Sequence, residues 1–259
     1  MFGLGKQKQD VSGEHERAGR FEFKYRISPT DYYAIRNAIR PYMSADRYTR
    51  GAAKSGYFVR SLYYETADDR IYNEKMAGDT DRVKYRLRTY TTDIAPDTPV
   101  RAELKVRRGE SLSKYSTFVP AGHADAFLRT RHWPDLRDDA VLEEFERGVH
   151  LRGLSPAVLV DYYREGYESR ERDDVRITFD HHVQSAHCRT LFPEKDPFRR
   201  IHHDYEVVLE IKYRQKPPTW LRRLVHSHGL RLVANSKYTQ AIEVGRRDRI
   251  HPNGVVIVR

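Results

Sequence analysis

Apolar and polar residues alternate through DRVKYRLRTY at residues 81–90. Three apolar residues there alternate with four cations: Arg82, Lys84, Arg86 and Arg88. Because successive side chains of a strand point to opposite faces, the segment predicts a strand with one apolar and one cationic face. Cations two residues apart on such a face lie roughly 7 Å apart and repel each other. The row therefore requires an explanation.

The same alternation predicts further strands, with helices between them. The predicted strands are 20–27, 57–65, 101–107, 114–120, 156–165, 175–180 and 208–214. The predicted helices are 28–43, 138–153, 218–229 and 236–245. The first predicted helix has Ser28 as its N-cap and Pro29 at its first position. Gly229 is the C-terminal end of the third predicted helix. The pattern is typical of an α+β protein with a large antiparallel sheet.

The chain of 259 residues has no Pro/Gly/Ser-rich linker and no internal repeat. We therefore expect a disordered polar tail at 1–18, one domain at 19–250 and a C-terminal tail at 251–259. The sequence contains no run of about 18 apolar residues, so it predicts no membrane span. The N-terminus lacks the apolar region of a signal peptide. The single cysteine, Cys188, excludes an internal disulfide framework. Together these features favour a cytoplasmic protein.

The charge balance favours polyanionic partners. There are 47 lysines and arginines against 37 acids, a formal net charge of +10. Such a chain attracts nucleic acid, anionic lipid or phosphate-rich small molecules. A single charged strand face is commonly just the solvated face of a sheet. Cations that recur on four or more strands instead favour a sheet curled with its charged face inward, a polar tunnel whose lining binds phosphates.

A short motif, Glu-x-Lys, occurs on three of the predicted strands as EFK, ELK and EIK. The glutamates are Glu22, Glu103 and Glu210, followed by Lys24, Lys105 and Lys212. One interpretation is an ion pair on a shared strand face, which contributes well under about 1 kcal/mol. The other is a carboxylate that holds Mg²⁺ or Mn²⁺ beside a lysine that holds phosphate.

Other chemistries have weaker support. Histidines at 181–182, 187 and 202–203 lie near Cys188, but their spacing matches no familiar zinc pattern. The 18 tyrosines and the many cations are compatible with single-stranded nucleic-acid binding. Many of those tyrosines fall on apolar faces, however, so nucleic acid is not the expected partner. The sequence contains no P-loop motif.

Eight motifs in order resemble the VTC (vacuolar transporter chaperone) domain of the triphosphate tunnel metalloenzyme superfamily, which includes the CYTH proteins. The motifs are RFEFKYRI, FVRSLYYET, EKMAGDTDRVKYRLRTY, RAELKVR, DYYREGY, VRITFD, VLEIKY and NSKYTQAIE. They extend from about Arg20 to Glu243. The resemblance implies an eight-stranded antiparallel tunnel barrel with a charged interior, flanked by helices.

For the catalytic branch, the resemblance implies an ATP-dependent polyphosphate polymerase that uses Mn²⁺ or Mg²⁺. ATP and polyphosphate are then the partners. Basic residues that match the family motifs, and are interpreted as catalytic, are Lys24, Arg86, Arg88, Lys105, Arg164, Arg176 and Lys237. Glu210 matches the metal-binding glutamate. Glu22 and Glu103 are interpreted as further metal ligands, and Arg20, Lys84 and Lys212 as further substrate-binding residues.

One position departs from the hydrolytic CYTH branch. The motif E-x-E-x-K is typical of the first strand in that branch. This chain resembles it but has Arg20 in place of the first glutamate. The change removes one metal carboxylate and favours a polymerase over a triphosphatase. A tri- or polyphosphate hydrolase of the same fold and a non-catalytic binding module for polyphosphate or nucleic acid remain the alternatives.

Overall fold

The computed structural model describes residues 20–52, 56–135, 138–171 and 174–247. The predicted tails, 1–18 and 251–259, lie outside the described residues, as does the side chain of Arg20. The strands are β1 (Arg20–Ile27), β2 (Met43–Ala45), β3 (Tyr57–Glu65), β4 (Arg82–Thr89), β5 (Pro99–Arg108), β6 (Ser111–Pro120), β7 (Ser155–Ser169), β8 (Arg176–His187), β9 (Arg200–Ile201) and β10 (Val207–Arg214). The helices are α1 (Pro29–Ala38), α2 (Arg47–Arg50), α3 (Arg70–Ala77), α4 (Ala121–Thr130), α5 (Ala140–Arg152), α6 (Thr219–Ser227) and α7 (Lys237–Arg247).

One antiparallel sheet organises the molecule. Its eight long strands follow the order β1-β10-β8-β7-β3-β4-β5-β6, and the short strands β2 and β9 pair with β7 and β8. Each predicted strand is present, and the α+β class is confirmed. The long strands carry the alternation seen in the sequence, so one sheet face is apolar and the other is charged.

The sheet curls into a tunnel without closing, which refines the expected barrel. Among the described residues, β1 and β6 are not hydrogen-bonded to each other and form the two edges. Part of the β1 edge is occupied by a later segment, because the Val233 amide donates to the Lys24 carbonyl at 2.9 Å. An isolated bridge also joins Tyr25 to Leu232. Covering an edge in this way satisfies its backbone groups without a pairing between β1 and β6.

Helices cover the apolar face in two clusters. The larger cluster includes Leu62, Leu87 and Leu104 of the sheet, packed with Phe127 and Phe145 of α4 and α5. The smaller one joins β1, β8 and β10 to α1 and α6. Both lie outside the curl, which leaves the charged face to line its interior.

Several element boundaries differ from the predictions. The helix predicted for 28–43 ends at Ala38, because Pro41 lacks the amide hydrogen and disfavours helix at the residue before it. Helix α3 is absent from the predictions, since its first turn is capped by the Glu65 carboxylate, which accepts from the amides of Ile71 and Tyr72. That cap lies outside the helix, so the local sequence does not signal it.

Helix α4 and the extended strand β7 also differ from the predictions. Helix α4 begins after Pro120 without a side-chain cap, so it lacks the usual sequence signal at its start. Strand β7 continues past Gly166 to Ser169. A Cβ atom at Gly166 would lie 2.0 Å from Asp46 Oδ2. The glycine therefore permits a close side-chain approach rather than ending the strand.

Candidate active site

The curled sheet surrounds a cavity of about 640 Å³ whose lining is strongly basic. Fifteen lysines and arginines face it, against three glutamates. A surface open to water would mix the two signs more evenly. A cavity with this excess of cations is suited to binding a polyanion.

Twelve of the thirteen predicted site residues line this single cavity. They are Glu22, Lys24, Lys84, Arg86, Arg88, Glu103, Lys105, Arg164, Arg176, Glu210, Lys212 and Lys237. The thirteenth, Arg20, has its side chain outside the described residues, although its backbone pairs with Arg214 across β1 and β10. The structure thus brings the predicted residues together, while their catalytic, substrate-binding and metal roles stay predictions.

Two arginines of β4 are held by fixed acceptors. The Nε atom of Arg86 donates to the buried carboxylate of Glu103, and its Nη1 donates to Tyr63 Oη at 3.0 Å. Arg88 donates to Ser61 Oγ at 3.0 Å and lies 3.8 Å from Glu103. Burial opposes ionisation of Glu103, but the surrounding cations hold its pKa far below the usual range.

Arg164 of β7 forms the best-defined ion pair in the cavity. Its Nε and Nη2 atoms donate to the two oxygens of Asp180 at 2.6 and 2.8 Å, and the Lys237 ammonium also donates to Asp180. Burial raises the pKa of Asp180, but Arg164 and Lys237 outweigh burial and lower it to about 2. We refer to these fixed pairs as the arginine group, made up of Arg86, Arg88, Arg164, Glu103 and Asp180.

A second group consists of two glutamates that share three lysines. Lys24 Nζ lies 2.8 Å from Glu22 and 3.6 Å from Glu210, while Lys212 Nζ lies 2.9 Å from Glu210 and 3.6 Å from Glu22. Lys105 reaches Glu22 from β5 at 3.8 Å. We call these five residues the lysine group. It links β1 and β10, at one end of the sheet, to β5, near the other end.

Both carboxylates of the lysine group are kept ionised. For Glu22, burial and the neighbouring Glu210 charge raise the pKa, but the three lysines outweigh them and lower it to about 2. Burial likewise opposes the charge of Glu210, whose pKa Lys212 and Lys24 nevertheless hold well below its usual range. Two such glutamates are suited to binding cations and poorly suited to accepting protons.

Oxygen atoms of the lysine group and of the adjacent Thr178 fit a hard divalent cation. Glu210 faces Thr178 directly across β10 and β8. The buried Thr178 hydroxyl has no hydrogen-bond partner among the described residues. Together with Glu22, these groups offer the oxygen ligands that Mg²⁺ and Mn²⁺ take. Glu103 fits less well, because Arg86 and Arg88 already contact its carboxylate.

Two further predicted residues lie at the margins of these groups. Arg176 donates to Asp46 Oδ2 at 3.0 Å, and that carboxylate also caps α2 through the Thr49 amide. Lys84 contacts Ser236 Oγ at 3.3 Å. Burial, followed by repulsion from the lysine at position 105, lowers the pKa of Lys84 to about 7. Lys84 is therefore a cavity cation whose charge changes near neutral pH.

Several residues that line the cavity were not among the predicted site residues. Arg101 and Arg107 share the phase of Lys105 on β5, and Lys114 lies on β6, so strand alternation could have identified them. Asp180 shares the polar face of Arg176, but nothing in the sequence indicates that it would bind Arg164. Alternation could also have placed Tyr90 on the face of Arg88 and Tyr162 on the face of Arg164, whereas Tyr48 of α2 gave no signal.

The histidines near Cys188 do not gather at the cavity, as far as the described residues show. His181 lies 3.4 Å from Glu165, and His202 bonds Ser185 at 2.9 Å. Across the described ranges, the one set of three ligand side chains within 4.8 Å is on the outer helices: His132, Glu146 and His150. None of the helices in the described ranges combines the length and the apolar character that a membrane span requires.

Comparison with known structures returns distant neighbours. A structure assigned as a candidate adenylate cyclase from Bacillus halodurans has a TM-score of 0.49 and 13% identity, covering 84% of this chain and 95% of the other. A candidate adenylyl cyclase from Hippeastrum, described with a dominant triphosphatase activity, has a TM-score of 0.48 and 14% identity, with coverages of 87% and 96%. No curated protein sequence matches significantly.

The sequence itself carries the assignment. The model of the VTC domain matches residues 19–245, a range that includes the whole curled sheet and every described residue of the cavity. This agrees with the order of the eight motifs along the chain. The chain belongs to the VTC domain family.

Proposed function

We propose that this chain is an ATP-dependent polyphosphate polymerase, which transfers the γ-phosphoryl group of ATP to the end of a polyphosphate chain. The observation that carries the proposal is the cavity lining of fifteen cations and three glutamates. Phosphoryl transfer requires little covalent chemistry from a protein. It requires in-line positioning and neutralisation of charge, which a row of fixed cations supplies.

The proposed step is a single displacement. A terminal oxygen of the polyphosphate chain forms a bond to the γ-phosphorus, the bond from that phosphorus to the β–γ bridging oxygen breaks, and ADP leaves with that oxygen. The attacking oxygen is already ionised near neutral pH, so no general base is needed. This suits a cavity in which Glu22, Glu103 and Glu210 all have lowered pKa values.

The two groups have different tasks in this proposal. Arg86, Arg88 and Arg164 donate charge-assisted hydrogen bonds to phosphate oxygens and keep the phosphates in line. The lysine group binds the transferred phosphoryl group, and its carboxylates hold Mn²⁺ or Mg²⁺. When bound, the ion offsets charge that develops on the phosphate oxygens. As lysines move onto phosphate, they leave Glu22 and Glu210 available to that ion.

The product distinguishes the proposal from its alternatives. Purified protein is incubated with ATP and Mn²⁺, and the products are resolved on a polyacrylamide gel. A ladder of polyphosphate with release of ADP supports the polymerase. Orthophosphate without a ladder supports a hydrolase, and unchanged ATP supports a binding module.

A further inference from the structure

Three tyrosines form an aromatic cluster on the cavity wall: Tyr48 of α2, Tyr57 at the start of β3 and Tyr90 just after β4. Tyr48 and Tyr90 are 45% and 38% exposed as residues and belong to neither core cluster. Polyphosphate offers no apolar or aromatic surface. Neither core packing nor phosphate binding therefore explains why these two rings lie on the cavity wall.

The ring geometry suits a flat aromatic ligand. Tyr48 and Tyr90 are nearly parallel, with an interplanar angle of 8° and centroids 6.3 Å apart. Rings that hold a base between them must be about 7 Å apart, twice the ~3.5 Å contact distance of stacked carbon atoms. At 6.3 Å these two rings leave no such gap, so a base would stack on an outer ring face. Tyr57 borders both rings at 5.4 and 6.1 Å. Arg47 lies over one face of Tyr48, 4.6 Å from the centroid, so a base would use the second face.

The cluster adjoins the arginine group. Tyr90 follows Arg88 by two residues and so shares its strand face, and Tyr57 pairs directly with Arg164 across β3 and β7. A nucleotide whose base stacks on the tyrosines thus has arginines beside its first phosphates. The remaining phosphates then extend along the cavity lining.

We infer that Tyr48, Tyr57 and Tyr90 bind the base of the nucleoside triphosphate and orient it with its γ-phosphate deepest in the cavity. This inference rests on the proposed function, because it takes a nucleoside triphosphate as the phosphoryl donor. The cavity would then recognise its two substrates through different groups. The donor uses the tyrosines and the cations, whereas the polyphosphate acceptor uses the cations alone.

Calorimetric titration of the full chain with ATP and with inorganic tripolyphosphate tests the inference. Base–aromatic stacking predicts that Tyr48→Ala and Tyr90→Ala each weaken ATP binding about tenfold, with tripolyphosphate affinity unchanged within about twofold. Tyr48→Phe and Tyr90→Phe keep the ring and retain ATP affinity. Tyr33→Ala removes a tyrosine that is 61% exposed on α1 and serves as the matched control.

Two outcomes would overturn the inference while leaving the proposed function intact. One is unchanged ATP affinity in both alanine variants. The other is an equal loss for ATP and tripolyphosphate, which would indicate damage to the phosphate lining. If the wild-type chain binds neither ligand, the proposed function fails and this inference fails with it.

Discussion

The arginine group and the lysine group carry charge of the same sign in one cavity, but they hold it differently. Arg164 is fixed by two short hydrogen bonds to a fully buried carboxylate. Lys24 and Lys212, in contrast, divide their contacts between two glutamates at distances from 2.8 to 3.6 Å. A planar guanidinium with paired acceptors has one preferred position, whereas an ammonium on a flexible stem can exchange partners.

This difference indicates how one cavity can both grip a polyanion and process it. The arginines provide donors whose positions are set before a ligand enters, which keeps the ordering cost of binding low. The lysines can leave their carboxylates for phosphate oxygens, which frees oxygen ligands for a metal ion. The largest losses of activity are therefore expected in the lysine group, and the largest losses of stability in the arginine group.

The strongest expected effect follows from Glu210→Gln. The change keeps the side-chain size and removes the charge that would hold the metal ion, so turnover should fall on the order of a hundredfold or more. Metal-free tripolyphosphate should bind as tightly or more tightly, because a negative charge has left a cation-lined cavity. Product formation and calorimetric affinity measure the two effects. Glu206→Gln, outside the cavity, is the control, and unchanged turnover in Glu210→Gln would remove this residue from the mechanism.

Arg164→Ala should give the largest loss of stability. It leaves Asp180, which is fully buried, without its bidentate partner, and breaking a buried pair in this way costs about 3 kcal/mol of unfolding free energy. Denaturant titration measures the loss. Arg129→Ala breaks an exposed pair with Asp125 and should cost under about 1 kcal/mol. Equal losses in the two variants would contradict the difference between the groups.

Lys105→Met should separate binding from stability. Burial, with repulsion from Lys24 and Lys212, lowers the pKa of Lys105 despite its contact with Glu22. Removing this cation should leave the unfolding free energy within about 1 kcal/mol of wild type. Tripolyphosphate affinity should fall on the order of tenfold through loss of one charge-assisted hydrogen bond. A destabilisation as large as that of Arg164→Ala would show that this lysine is a fixed structural partner.

The last expected effect concerns pH and Lys84. Its folded pKa of about 7 lies below the unfolded value of about 10.4, so the unfolded chain binds more protons between these pH values. Stability should therefore rise with pH across that window, and the contribution of Lys84 to the rise should vanish in Lys84→Met. Below pH 7 the full penalty for the buried charge remains. Chemical denaturation of both proteins at pH 7 and pH 9 measures the slope, and identical slopes would contradict the lowered pKa.

Much of this cavity could be predicted because strand alternation is a local property. The row from Arg82 to Arg88 and the motifs around Glu22 and Glu210 identified side chains that the structure places on one lining. The same regularity located each long strand. The sequence did not indicate how near β5 and β1 come, since the contact between Lys105 and Glu22 depends on how far the whole sheet curls.

Features fixed by distant contacts could not be predicted in this way. Helix α3 is capped by Glu65 from the preceding strand, and Asp180 owes its role to Arg164 on a neighbouring strand. Tyr90 is in phase with Arg88, so alternation places it on the charged face, but nothing in the sequence indicates that its ring lies beside that of Tyr48. These features depend on packing between segments, which residue spacing does not encode.

The most direct test of the proposed transfer is a ³¹P NMR time course with ATP and Mg²⁺. The proposal predicts that the γ-phosphate signal of ATP is lost while ADP appears, with a matching gain in signal from internal phosphates of a polyphosphate chain. Loss of the γ-phosphate into orthophosphate alone, from the start of the reaction, would contradict the transfer and assign the cavity to hydrolysis.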